Sequence, residues 1–243
     1  MNVVAVIPAR MGSSRFPGKP LAAILGRPML QWVYEGTRAC SFLSEVVVAT
    51  CDAEIAAAAR GFGARVAMTS PRHERASDRV AEAATGLDAD VVVMVQGDEP
   101  MVTPAMIEAA VGPFNDPDVV CTNLSSAIDT VEDFMDPNTI KLVASASGDA
   151  LYFSRSPIPA VTRQTFTPGV ALRQICVIGF RAAFLQEYSR LSPTPLEQQE
   201  SIDMLRILEH GRNVRIVPIT SASCPVDTPA DLARVERLLV QPQ

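Results

Sequence analysis

The stretch VVAVIPARMGSSRFPGKPL, residues 3–21, decides how this chain is read. Val3 to Ile7 form a short apolar, largely β-branched run of the kind that makes a strand buried on both faces. The run then breaks into a loop with Gly12 and Gly18, Ser13 and Ser14, cations at Arg10, Arg15 and Lys19, and prolines at Pro17 and Pro20. Glycines permit close backbone approach, hydroxyls donate hydrogen bonds, and the cations neutralise charge, so the loop is composed to hold an anion such as a triphosphate. It is not a Walker A loop, because five residues separate Gly12 from Gly18 and Pro20 stands where a hydroxyl residue should follow the lysine. The plainer reading is a solvated turn with surface cations. Against it stands the local charge, since no acid precedes Glu35.

Working outward, strand-like and helix-like segments alternate: PMLQWVYEGTRAC, EVVVAT, AEIAAAARGFG, ARVAMT, DRVAEAATGL and DVVVMVQ. Short β-branched runs separated by helical stretches predict a doubly wound α/β fold with a mostly parallel sheet covered on both faces. Around residues 119–190 the rhythm changes to TIKLVAS, DALYFS and RQICVIGF, with a proline-rich segment between the last two. This predicts a smaller antiparallel excursion, an inserted lobe that edges or covers the sheet within one domain spanning 1–243. PLEQQESIDMLRILEH, residues 195–210, has Ile202, Leu205 and Leu208 on one stripe and reads as a single helix stopped by Gly211.

The 243 residues are 48% hydrophobic and 20% charged, with a net charge of −6. That balance suits a globular domain and disfavours nucleic-acid or anionic-membrane surfaces, which call for a basic footprint. Neither a secretory signal nor a membrane span is evident, so a cytoplasmic protein is expected. Five dispersed cysteines and two histidines make a Cys/His zinc site a poor expectation. Any metal should be a hard cation held by carboxylates.

Ligands of open parallel sheets bind beyond the carboxyl ends of the strands. QGDEP lies at such an end, after DVVVMV, and Asp98 there is suited to bind Mg²⁺. Helix capping is the competing role, but Thr103 followed by Pro104 serves it better. In VDTPADL, Thr228, Pro229 and Asp231 form a capping box, which leaves Asp227 over. Together Asp98 and Asp227 supply paired carboxylates for a nucleotidyl-transfer site. Ser77 sits at a helix start, where capping and ligand contact explain it equally; for Arg155 a surface ion pair is the alternative. Lys141 is a lone cation among apolar strand residues, either snorkelling from the sheet or pointing into the site.

The ordered set IPARMGSSRFPGKPL, QGDEP, DPN-x-x-K, ALYFSR-x-x-IP, the PLE helix start and VDTP-x-DL-x-RV resembles the 3-deoxy-manno-octulosonate (Kdo) cytidylyltransferases, over nearly the whole chain. The resemblance implies a Rossmann-like nucleotidyltransferase, a homodimer, that uses CTP and Mg²⁺ to activate an acidic sugar for lipopolysaccharide synthesis. It implies nucleotide contacts from Arg10, Ser13, Ser14, Arg15, Lys19, Ser77, Arg79 and Gln96, and acceptor contacts from Gln96, Arg155, Gln174, Glu200 and Asp203. Asp98 and Asp227 would hold metal and act with Lys19 in catalysis.

Three stretches depart from the family pattern. The H-x-SGT-D/E-R element is HERASDR at residues 73–79; H-x-G-x-Y is replaced around Gln174, Cys176 and Ile178; and a polar glutamine of the later helix is Met204. These changes motivate a second expectation, a cytidylyltransferase for a different acidic acceptor such as a phosphonate, with Arg75 meeting the extra charge. A non-catalytic nucleotide-binding module is the reading from another class.

Overall fold

The structure, a computed structural model, describes residues 1–12, 16–220 and 224–240; Ser13, Ser14 and Arg15 of the anion loop lie outside the described residues. In chain order its first half comprises β1 (Val3–Pro8), the short pair β2 (Ala23–Ile24) and β3 (Arg27–Pro28), α1 (Met29–Arg38), β4 (Leu43–Thr50), α2 (Ala53–Gly61) and β5 (Arg65–Met68). Next come α3 (Ala76–Ala84), β6 (Val91–Val95), α4 (Pro104–Val111), β7 (Cys121–Ala127), α5 (Val131–Met135), β8 (Lys141–Ala144) and β9 (Ala150–Ser154). The chain then runs through β10 (Leu172–Arg181), α6 (Ala182–Tyr188), α7 (Pro195–Glu200), α8 (Met204–Glu209), β11 (Arg215–Pro218) and α9 (Pro229–Val240).

The principal sheet has the order β11-β7-β10-β6-β1-β4-β5, with β8 and β9 continuing from β10. β6, β1, β4 and β5 run parallel, as do β7 and β11. Alternation along each strand feeds two cores. Val3, Ala5, Ile7, Val91, Val93 and Val95 pack with α1, α2 and α4 on one face. Val4, Val6, Val92 and Met94 pack with α3, α6 and α8 on the other. Burial on both faces is why these strands carry no charge of their own.

The antiparallel segment differs from its expected place. β10 does not edge the sheet but lies inside it, antiparallel to both β6 and β7. Its Ile175, Val177, Ile178 and Phe180 are buried, as a central strand requires. Gly179 allows α4 to press close, since a Cβ there would sit 2.5 Å from the Thr122 hydroxyl and 3.2 Å from the Ala110 carbonyl. The ends of the 119–190 stretch therefore belong to the main sheet. The excursion is narrower, consisting of the β8–β9 pair and the connections packed on Ile128, Phe134 and Ala171.

The expected helix over 195–210 is two helices. α7 opens with the capping box of Thr194 and Glu197 and ends at Ser201, which adopts a left-handed conformation with φ 57°. Buried Ile202 and half-buried Asp203 make an elbow, and α8 restarts at Met204. The apolar stripe continues across the break, which is why periodicity hid it.

Candidate active site

The parallel strands β1 and β6 both end at a cavity of about 690 Å³. Its lining includes Arg10, Lys19, Gln96, Asp98 and Asp227, within the 300–1,000 Å³ range usual for small-molecule sites. Beyond β1, the Met11 N–H donates to the Asp52 carboxylate at 2.8 Å, fastening the near end of the anion loop. Gly18, at φ 71°, turns the chain into a short 3₁₀ turn beginning at Lys19.

The Lys19 ammonium lies 2.7 Å from Asp98 and 3.2 Å from Asp227. Burial pulls its pKa down, but the two carboxylates outweigh that and the net direction is up, so the lysine stays charged. Asp98 and Asp227 come from distant loops joined by the bond from Val226 N–H to Asp98 O at 3.0 Å. Gly97 makes the approach possible, since a Cβ there would lie 3.0 Å from the Pro8 carbonyl. Capping is handled elsewhere. Thr103 accepts from Met106 N–H, and Thr228 and Asp231 bond reciprocally at 2.8 and 3.3 Å. Both aspartates are thereby left to face the lysine. The Asp98 Oδ1 atom is buried without a hydrogen-bond partner among the described residues.

The other expected residues divide. Arg10 is exposed at the rim, and Arg79 is buried against Thr69 and the Ser70 carbonyl while still lining the cavity. Gln174 donates to Asn123 Oδ1 at 2.6 Å and lines the cavity with Gln96, Arg155 and Asp203. Ser77 and Glu200 are not on the lining. Ser77 is buried and gives its N–H and hydroxyl to Asp203 at 3.1 and 2.8 Å, so it neither caps α3 nor faces the cavity. Glu200 accepts from the Ser154 hydroxyl and the Arg155 N–H, both at 2.8 Å. Burial raises the Asp203 pKa, opposed by the two Ser77 bonds and Arg75.

Arg75 does line the cavity, but its guanidinium reaches the Ser201 hydroxyl, the Glu197 carbonyl at 3.2 Å and the Glu197 carboxylate at 3.3 Å. It grips the elbow between α7 and α8. Lys141 neither snorkels nor enters the cavity; its ammonium is enclosed by backbone carbonyls.

Sequence reasoning missed several neighbours. Buried Glu99 accepts from Cys176 N–H at 3.1 Å, where the β10–β7 register shifts between Ile175 and Ile178. Only the close spacing of QGDEP hinted at this support. Arg234 of α9 also lines the cavity, and its place in VDTP-x-DL-x-RV, two helical turns beyond Asp227, was the available signal.

The comparisons with known proteins bear on the family and the fold. A family profile described as Cytidylyltransferase matches residues 4–216. A 3-deoxy-manno-octulosonate cytidylyltransferase of Geobacter metallireducens is 46% identical, covering 97% of this chain and 96% of the relative. The chain belongs to the 3-deoxy-manno-octulosonate cytidylyltransferase family. A second such cytidylyltransferase, from Acaryochloris marina, is 43% identical over 99% of this chain and 98% of its own. A solved CMP:2-keto-3-deoxy-manno-octonic acid synthetase complexed with CTP superposes with TM-score 0.89 at 40% identity, covering 99% of both chains. A cytidylyltransferase from Leptospira borgpetersenii, 18% identical with TM-score 0.64 over 97% of this chain and 85% of its own, shares the fold.

Proposed function

We propose that this protein is a CTP-dependent nucleotidyltransferase that activates Kdo, giving CMP-Kdo and pyrophosphate. The observation that carries the mechanism is the charged Lys19 held between Asp98 and Asp227 at the carboxyl ends of parallel strands. The anomeric hydroxyl oxygen of the acceptor attacks the α-phosphorus in line. One P–O bond forms, the bond to the β-phosphate oxygen breaks, and the hydroxyl proton leaves to solvent. Such a reaction needs positioning and charge stabilisation more than acid–base chemistry. Lys19 and Arg10 neutralise the triphosphate, while the wall of Arg155, Gln174 and Asp203 orients the acid.

Asp98 and Asp227 fit Mg²⁺, a hard cation that takes one or two carboxylates plus substrate phosphates, and the orphaned Asp98 Oδ1 supplies a ready donor. When bound, the ion would neutralise charge on the phosphates. No described helix is long and apolar enough to cross a membrane. A cytoplasmic homodimer serving lipopolysaccharide synthesis completes the reading. The alternative of a phosphonate acceptor drew on Arg75 as a receptor for extra charge, and that guanidinium is already paired with Glu197. Pyrophosphate release tests the choice: Kdo with CTP and Mg²⁺ should turn over rapidly and phosphonates should not. Turnover with a phosphonate alone overturns the Kdo assignment.

A further inference from the structure

Lys141 is a fully buried ammonium outside the cavity. It opens β8, opposite Arg173 of β10 on one side and Ser154 of β9 on the other. Its Nζ lies 2.8 Å from the Asp136 carbonyl, 2.6 Å from that of Thr139 and 2.5 Å from that of Arg155. An ammonium has three donors, and here three main-chain oxygens receive them. No carboxylate among the described residues is in contact, so this is not an ion pair.

The acceptors matter more than the lysine. Asp136, Asn138, Thr139 and Arg155 all line the cavity, though they come from the α5–β8 connection and the end of β9. Arg155 extends the brace, giving Nη1 to the Pro137 carbonyl at 3.0 Å, Nε to the Glu200 carbonyl at 2.7 Å and Nη2 to the Ser201 carbonyl at 3.3 Å. Three separate backbone segments are thus held in register by two cations, one of them hidden behind the wall.

We propose that Lys141 is a positioning residue for the acid acceptor, fixing the wall formed by residues 136–139 and Arg155 without touching substrate. The proposal rests on the reading that this wall holds the acceptor.

Titration gives the clamp a signature. The charged groups facing Lys141 are Asp136, Arg155 and Glu200, with Arg173 opposite on β10. Burial, aided by Arg155 and opposed by Asp136 and Glu200, lowers the ammonium to about 8 from 10.5. Above about pH 8 the amine keeps two N–H groups and turns a lone pair toward the third carbonyl, so the wall loosens and the acceptor KM rises. The sign for stability is opposite. A base whose folded pKa is depressed favours the folded chain increasingly as pH climbs from about 8 to 10.5, so this loss of acceptor binding is not unfolding.

The test uses Lys141→Met and the non-titrating Lys141→Arg, with steady-state kinetics in Kdo and in CTP and a melting curve for each. Lys141→Met is expected to raise the Kdo KM about tenfold or more with little change in the CTP KM, as small misplacements of a binding wall do. Lys141→Arg should recover part of that loss and lack the inflection near pH 8 expected of the wild type. An unchanged Kdo KM in Lys141→Met, or an equal rise in both KM values, overturns the proposal. So does failure of both variants to fold, which would make Lys141 a core residue only. Arg155→Met separates the two readings: if it leaves the Kdo KM unchanged, the wall is not the acceptor site. If it raises the Kdo KM while Lys141→Met does not, the wall stands and the positioning role falls.

Discussion

Two clusters of charge border the cavity, and they are built on opposite principles. At the ends of β1 and β6, Lys19 bridges two carboxylates, and among the described residues Asp98 Oδ1 has no hydrogen-bond partner. Beside the α7–α8 elbow, Arg206 gives two bonds to Asp78 at 2.9 and 3.2 Å and two to Glu197 at 2.8 and 2.7 Å. Arg75 adds a further contact to Glu197, and Ser77 binds Asp203. Arg206, Asp78 and Glu197 satisfy one another and act as masonry. The first cluster has capacity left for phosphates and a cation. Charge marks both regions, but a buried carboxylate oxygen without a partner among the described residues marks the one proposed to react.

The contrast breaks most visibly in the masonry. Arg206 is 3% exposed, and removing one partner of a buried ion pair costs about 3–5 kcal/mol because the other is left unpaired. Arg206→Met should therefore lower the melting temperature sharply, while the folded fraction keeps its turnover; a melting curve unchanged from wild type would mean the network carries no load. Lys19→Met should do the reverse, weakening use of CTP by about a hundredfold with the fold intact. The lysine's raised pKa implies that its stabilising contribution is full below 10.5 and is lost only as pH rises through the higher folded value. CTP binding that declines below pH 9 in step with Lys19 titration would contradict the pairing, a limit set about one unit under the free amine.

The smallest effect concerns Cys176, which lines the cavity between the clusters. Burial and the carboxylates of Glu99, Asp98 and Asp227 push its thiol well above the usual range. It should resist iodoacetamide at neutral pH, and rapid loss of activity on alkylation of this thiol would show a more open site.

The difference between the clusters also explains what the sequence could tell. Lys19, Asp98 and Asp227 were legible because each stands beside local punctuation: Gly18, a strand end, and a capping box that accounts for Thr228 and Asp231 but not Asp227. The parallel strands were legible for the same local reason, an uninterrupted apolar run. The elbow at Ser201 was not, because Ile202, Leu205 and Leu208 keep helical spacing across it. The pairing of Ser77 with Asp203 and of Arg75 with Glu197 spans more than a hundred residues, which no local pattern encodes. β10 was recognised as a strand, but its place between β6 and β7 depends on Gly179 fitting against α4, a tertiary condition.

The most direct test is the rate of CMP-Kdo formation by Asp98→Asn beside the wild type, at saturating CTP, Kdo and Mg²⁺, with a melting curve for each. Replacing one oxygen of this carboxylate should lower turnover by about a hundredfold or more while the protein melts no earlier. A near-normal rate in Asp98→Asn would contradict the account, because the chemistry would then lie elsewhere in the cavity.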